Sequence, residues 1–100
     1  MFVSLYDVAP DGMAKIPAIY PAHRERLNEF HRRGVLVAAG PLGKPPVAAL
    51  GIFTTREAAE EFIAGDPFVL SGAVASWRIM EWDAVFLDAP PTTLVNETVA

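Results

Sequence analysis

His23 and Asp66 carry most of the chemistry that this chain offers. His23 stands in Tyr20-Pro21-Ala22-His23, and Asp66 opens Asp66-Pro67-Phe68 between Gly65 and Gly72. Asp is a favoured N-cap and Pro a favoured first helical residue, so Asp66 reads first as the cap of a short helical turn. His23 lies three residues after Tyr20 and four before Leu27, a spacing that puts it on the inward face of a helix. Near the third position of a helix opened by Pro21, it meets the positive potential of the helix N-terminus, which with burial disfavours protonation. A carboxylate beside it works the other way and fixes the ring tautomer. A neutral His oriented by an Asp is a suitable general base. The expectation is one pocket holding both residues, with one Asp66 oxygen capping the turn and the other accepting from His23. The plainer reading is a core histidine bonded to backbone and an aspartate that only caps.

Other residue types narrow the chemistry. The chain has no cysteine, so thiolate nucleophiles, disulfides, iron–sulfur clusters and cysteine zinc sites are excluded. His31 follows His23 by eight residues, too far to share a metal with it, and sits beside Arg32 and Arg33 as a surface group. No metal and no cofactor are expected. None of the serines stands in a nucleophile-elbow pattern. Gly40, Gly43 and Gly51 do not form a phosphate-cradling loop before a helix. Glu57, Glu60 and Glu61 read as a solvated helix face, as do Arg24, Arg26, Arg32 and Arg33. Eight basic against twelve acidic residues give a net charge of −4 with no basic stripe, which argues against nucleic acid or an anionic membrane as partner. No apolar run reaches membrane-spanning length, and the first residues lack the pattern of a signal peptide, so a cytoplasmic location is expected.

The elements that must position these residues follow from periodicity and breakers. Phe2 to Val8 reads as a first strand, ended by Ala9-Pro10-Asp11-Gly12. Pro17 and Pro21 argue for a loop over 13–20 and a helix from Pro21 to Arg33, stopped at Gly34. Val35 to Gly40 and Ala48 to Phe53 read as two strands close enough to pair antiparallel. Thr54 to Gly65 is the clearest helix, with capping-box spacing between Thr54 and Glu57 and an inward stripe of Ala58, Ala59, Phe62 and Ile63. Ala73 to Phe86 reads as a long last strand, and residues 87–100 as a tail that is flexible or packs on a partner subunit.

The order β-α-β-β-α-β is the ferredoxin-like arrangement, an α+β fold with a four-stranded antiparallel sheet and both helices on one face. One hundred residues suit one domain, here residues 1–86, and 52% hydrophobic content is high for that size. Apolar residues occur at both parities of the first and last strands, so the face away from the helices also needs cover. A second copy of the chain is the simplest cover, giving a homodimer through the open sheet face. Tyr6 and Arg78 are pocket candidates, because a strand can aim such side chains at a cavity between sheet and helix.

At this point the chain resembles the YCII-related family of dimeric α/β-barrel, ferredoxin-like proteins. The resemblance spans about residues 1–86. It rests on Pro21-Ala22-His23 with Leu27, Gly34-Val35-Leu36, Ala39-Gly40-Pro41, Glu57-Ala58-Ala59, and Asp66-Pro67-Phe68 with Gly72. It implies a dimer with a small pocket holding a His–Asp pair, His23 and Asp66. Tyr20 stands where members often carry Arg, which puts anion binding from that point in question, and Arg24 stands where Leu is common. With Tyr6 and Arg78, the residues Tyr20, Arg24, Gly40 and Phe68 make up the expected substrate-binding set. Related proteins include small cofactor-independent lyases and isomerases acting on ring compounds.

Two functions fit. One is a cofactor-free enzyme in which Asp66 orients His23 for proton transfer, in elimination or isomerisation, on a small oxygenated or aromatic substrate. The other is a non-catalytic dimeric module that binds a small ligand or a partner protein.

Overall fold

The computed structural model describes residues 1–88. Strand β1 (Phe2–Val8) leads into helix α1 (Gly12–Arg32), then strands β2 (Leu36–Leu42) and β3 (Ala48–Phe53), helix α2 (Arg56–Gly65), the single-turn helix α3 (Pro67–Leu70) and strand β4 (Val74–Glu81). The four strands form one antiparallel sheet in the order β2-β3-β1-β4. This is the ferredoxin-like α+β topology that the element order implies. The last strand is shorter than the alternation over 73–86 implies, although Trp82 and Met1 exchange two further backbone bonds beyond it. The expected tail falls outside the described residues from position 89 onward.

Tyr6 pairs with Ala49 on one side and Trp77 on the other, which fixes the parity of the sheet. Phe2, Ser4, Tyr6, Gly51 and Phe53 face the helices. Val3, Leu5, Leu50, Ile52 and Met80 face away. The core lies between sheet and helices around Phe30, Phe53, Phe62 and Ile63, all nearly or fully buried. Phe62 meets Phe30 edge-on at 5.2 Å and Phe53 at 5.4 Å. Ala58, Ala59, Phe62 and Ile63 of α2 are all buried, so the inward stripe read from the periodicity is the one that packs.

Three local expectations change. The first concerns α1, which runs through Pro17 and Pro21 rather than beginning at the second. Each proline deprives a carbonyl four residues earlier of its N–H partner. Those carbonyls belong to Met13 and Pro17, both exposed residues, so water can replace the missing bonds. The second concerns α2, which is capped by Thr55, whose side chain accepts from the Ala58 amide at 3.1 Å, and not by Thr54. The reciprocal capping-box bond to Glu57 therefore has no place. The third concerns the helix-face charges, which are not all solvated. Arg26 donates from Nε to the Phe62 carbonyl and from Nη2 to that of Glu61, closing the C-terminal turns of α2 while its guanidinium lies over Phe30. Arg33 forms a two-pronged pair with Glu61, both bonds 2.8 Å, which holds the Glu61 carboxyl below its ordinary range. Being exposed, that last pair contributes little to stability.

Candidate active site

Asp66 links two helices. Its backbone is extended, closing α2 and opening α3, and the rigid Pro67 follows at the first position of the new turn. The side chain is fully buried. Oδ1 accepts the Phe68 amide at 3.1 Å and lies 2.7 Å from His23 Nδ1, while Oδ2 accepts the Tyr6 hydroxyl at 2.7 Å. The expected division, one oxygen for the cap and the other for His23, is thus not the one found. Oδ1 serves both, because the turn that places the Phe68 amide also turns that oxygen toward α1. Oδ2 is left to a donor from the middle of the sheet.

Three donors around one buried carboxylate satisfy it as an acceptor-only group. They also settle the ring of His23. A carboxylate oxygen 2.7 Å away accepts, so Nδ1 carries the hydrogen and, in the neutral ring, Nε2 keeps its lone pair. Among the described residues Nε2 has no protein partner, yet no buried side-chain nitrogen or oxygen lacks one. Nε2 is therefore reachable from outside the protein wall. The ring is held flat against Phe68, with centroids 3.9 Å apart and planes 13° apart, and meets the edge of Phe62 at 6.0 Å. His23 sits near the midpoint of α1, not in its first turn, because the helix continues through the prolines. The N-terminal dipole effect acts only within the terminal turn, so the expected electrostatic influence of the helix start does not apply here.

His23 forms part of the wall of a cavity of about 410 Å³ between the sheet and α1. This is within the usual range for small-molecule sites. Of the expected binding residues, Tyr6, Tyr20, Arg24, Gly40 and Phe68 line it. Arg78 does not. It pairs with Leu5, whose side chain is of opposite parity to Tyr6, so Arg78 lies on the open face of the sheet. Apolar residues at both parities of β4 left that choice unmarked in the sequence. Ser4 and Gly51 on the cavity floor were missed, and so was the bond from Tyr6 to Asp66. The alternation of β1 puts Ser4 and Tyr6 on one face, and that was the available signal.

Burial, and then the neighbouring Asp66 carboxylate, push the Tyr6 hydroxyl far above its ordinary pKa of 10.0. A raised folded value favours the protonated fold, so this contribution is complete below pH 10 and is lost as the pH rises above it. The wild type is expected to lose stability above that pH more steeply than Tyr6→Phe, by up to about 1.4 kcal/mol per pH unit. Denaturant unfolding of both proteins near pH 8 and about pH 11 measures this. At the lower pH, Tyr6→Phe is expected to cost roughly 1.5–3 kcal/mol, because the lost bond ends on a charged group.

The fold and the cavity define a ferredoxin-like α+β domain with a histidine in the cavity wall and a buried aspartate behind it. The chain belongs to the YCII-related domain family, whose model matches residues 1–83. It is 30% identical over 87 residues to Protein YciI of Escherichia coli O6:H1 strain CFT073, covering 76% of this chain and 89% of that protein. Protein YciI of Shigella flexneri matches to the same extent. Among solved structures it resembles 5-chloro-2-hydroxyhydroquinone dehydrochlorinase (TftG) from Burkholderia phenoliruptrix AC1100, in complex with 2,5-dihydroxybenzoquinone. The TM-score is 0.63 at 17% identity, covering 83% of this chain and 94% of that one. Among the described residues no helix is long and apolar enough to cross a membrane.

Proposed function

We propose that the protein is a small enzyme that works without a cofactor and transfers a proton by the His23–Asp66 pair. The observation that carries this is the 2.7 Å bond from His23 Nδ1 to a buried carboxylate, with the other ring nitrogen left open in a cavity wall. In this reading Nε2 takes a proton from a carbon or oxygen of the substrate. The electron pair left behind forms a new double bond as a leaving group departs, or shifts along the substrate in an isomerisation. Asp66 stabilises the imidazolium that forms, and His23 then returns the proton to product or water. The apolar, aromatic-lined cavity favours a small oxygenated or aromatic substrate. The named substrate of the dehydrochlorinase, a hydroxylated and chlorinated ring, is of that class and supports elimination as the reaction type.

The arrangement requires one tautomer. Nitrogen NMR of the wild type is expected to show His23 protonated at Nδ1 and bare at Nε2 when the ring is neutral. A ring protonated at Nε2 would sink the base assignment.

The same proposal makes the protein a homodimer through the open sheet face, where Val3, Leu5, Leu50, Ile52 and Met80 form an apolar surface. Met80 is exposed and the other four are partly exposed, and contiguous apolar surface left open to water marks an interaction site. Sedimentation is expected to give the mass of two chains at micromolar concentration, and Ile52→Arg is expected to shift it toward one.

A further inference from the structure

The cavity floor holds a hydroxyl that the mechanism above does not use. Ser4 is 5% exposed, lines the cavity, and among the described residues its side chain has one protein bond, to the Gly51 carbonyl at 3.5 Å. Well-formed O–H···O bonds lie at 2.5–3.0 Å, so this is a marginal one. A buried hydroxyl in that state is costly unless something else bonds to it. The residue opposite is what leaves it open. Ser4 pairs across the strands with Gly51, and a Cβ at position 51 would come within 2.7 Å of Ser4 Oγ. Glycine there keeps the floor clear above the hydroxyl.

The other polar groups of the wall are unequal. The Tyr6 hydroxyl and His23 Nδ1 are both committed to Asp66. Arg24 is different. It lines the cavity as its one full-time cation, and among the described residues no carboxylate pairs with it. Its Nε bonds the Asn28 side chain and its Nη1 only reaches the Tyr20 hydroxyl, at 3.5 Å. Among the described residues no carboxylate lines the cavity, since Asp66 is buried behind His23 and Tyr6. The rest of the lining is largely apolar, with the rings of Phe53, Phe62 and Phe68 among it.

We infer that the cavity takes a flat ring with an oxygen substituent at one end, bonded by the Ser4 hydroxyl, and an anionic group at the other, held by Arg24. Ser4 and Arg24 are then the residues that orient the ring against His23 Nε2. The oxygen at the Ser4 end is a hydroxyl or carbonyl, because serine can both donate and accept. The group at the Arg24 end is a carboxylate or another planar anion, which suits the fork of donors on a guanidinium. This rests on reading the cavity as a substrate site, and it adds the chemical class of the ligand.

Calorimetric titration with three matched compounds tests it: 4-hydroxybenzoate, benzoate, which lacks the hydroxyl, and 4-hydroxybenzamide, which lacks the charge. The wild type is expected to bind 4-hydroxybenzoate about tenfold or more tightly than either of the others. Ser4→Ala is expected to remove the preference over benzoate and keep the preference over the amide. Arg24→Gln is expected to do the reverse. The assignment is overturned if the wild type lacks either preference, if a preference survives its own variant, or if none of the three compounds binds. The wild-type comparison alone can overturn it, so it does not depend on the variants folding. The readout is binding and not turnover. Failed preferences alongside a His23 that is protonated at Nδ1 would remove only the ligand assignment and leave the proton-transfer proposal standing.

Discussion

Asp66→Ala is expected to destabilise the protein by roughly 3–5 kcal/mol, the scale of breaking a buried, hydrogen-bonded charged group. The reason is the number of groups that depend on it. The Tyr6 hydroxyl and the Phe68 amide lose their acceptor, and His23 Nδ1 loses the oxygen that holds it. A buried donor left without a partner costs about 1–3 kcal/mol, and loss of a helix cap about 1 kcal/mol. Asp66 is fully buried, so water can repair this only by entering the core. Urea unfolding at neutral pH gives the number, and a loss below about 1 kcal/mol would show that the three bonds are not formed in solution.

Asp66→Asn separates the charge from the geometry. With its carbonyl at the Oδ1 position it still accepts from His23 and Phe68, and the Tyr6 hydroxyl can turn to accept from the amide. Its cost in stability is therefore expected to be smaller than that of Asp66→Ala. Its cost in turnover is expected to be at least about tenfold, because a neutral amide does not stabilise the imidazolium formed when Nε2 takes a proton.

The second large effect concerns His23. In a screen of oxygenated ring compounds, 5-chloro-2-hydroxyhydroquinone among them, turnover of the best substrate is expected to fall about 10²–10⁴-fold in His23→Gln. Stability is expected to change by less than about 2 kcal/mol, since the substitution removes the stacking on Phe68 but leaves Oδ1 bonded to the Phe68 amide. That combination, a large loss of rate with a small loss of stability, is what distinguishes a reacting group from a core histidine. Equal turnover in the two proteins would remove His23 from the chemistry, and no turnover above the uncatalysed rate in either would favour a non-catalytic binding module.

Much of this site was legible because its parts announce themselves locally. Asp66-Pro67 is a cap whatever surrounds it, and it does cap the Phe68 amide. The spacing of Tyr20, His23, Leu27 and Phe30 marks one helix face, and His23 does turn inward on it. What was not legible depended on partners distant in sequence. Arg26 looked like one of several solvated arginines, and its role became visible only once the end of α2, with the Glu61 and Phe62 carbonyls, lay within its reach.

By itself the sequence determined the elements, their order and the ferredoxin-like arrangement, because caps, breakers and hydrophobic periods act over a few residues. It also determined the types of the two residues that meet, a histidine on an inward helix face and an acid at a proline turn. Tertiary structure decided how they meet. It carried α1 through two prolines by leaving their orphaned carbonyls to water, and so removed His23 from the helix end. It chose the parity of β1 and β4, setting Tyr6 and Ser4 toward the helices and Arg78 away. That choice is made by the register of the whole sheet and by what the helices need to cover. Where both faces of a strand are apolar, the alternation within the strand does not encode it. The third donor to Asp66 thus comes from a residue 60 positions away, turned toward Asp66 by the register of the sheet.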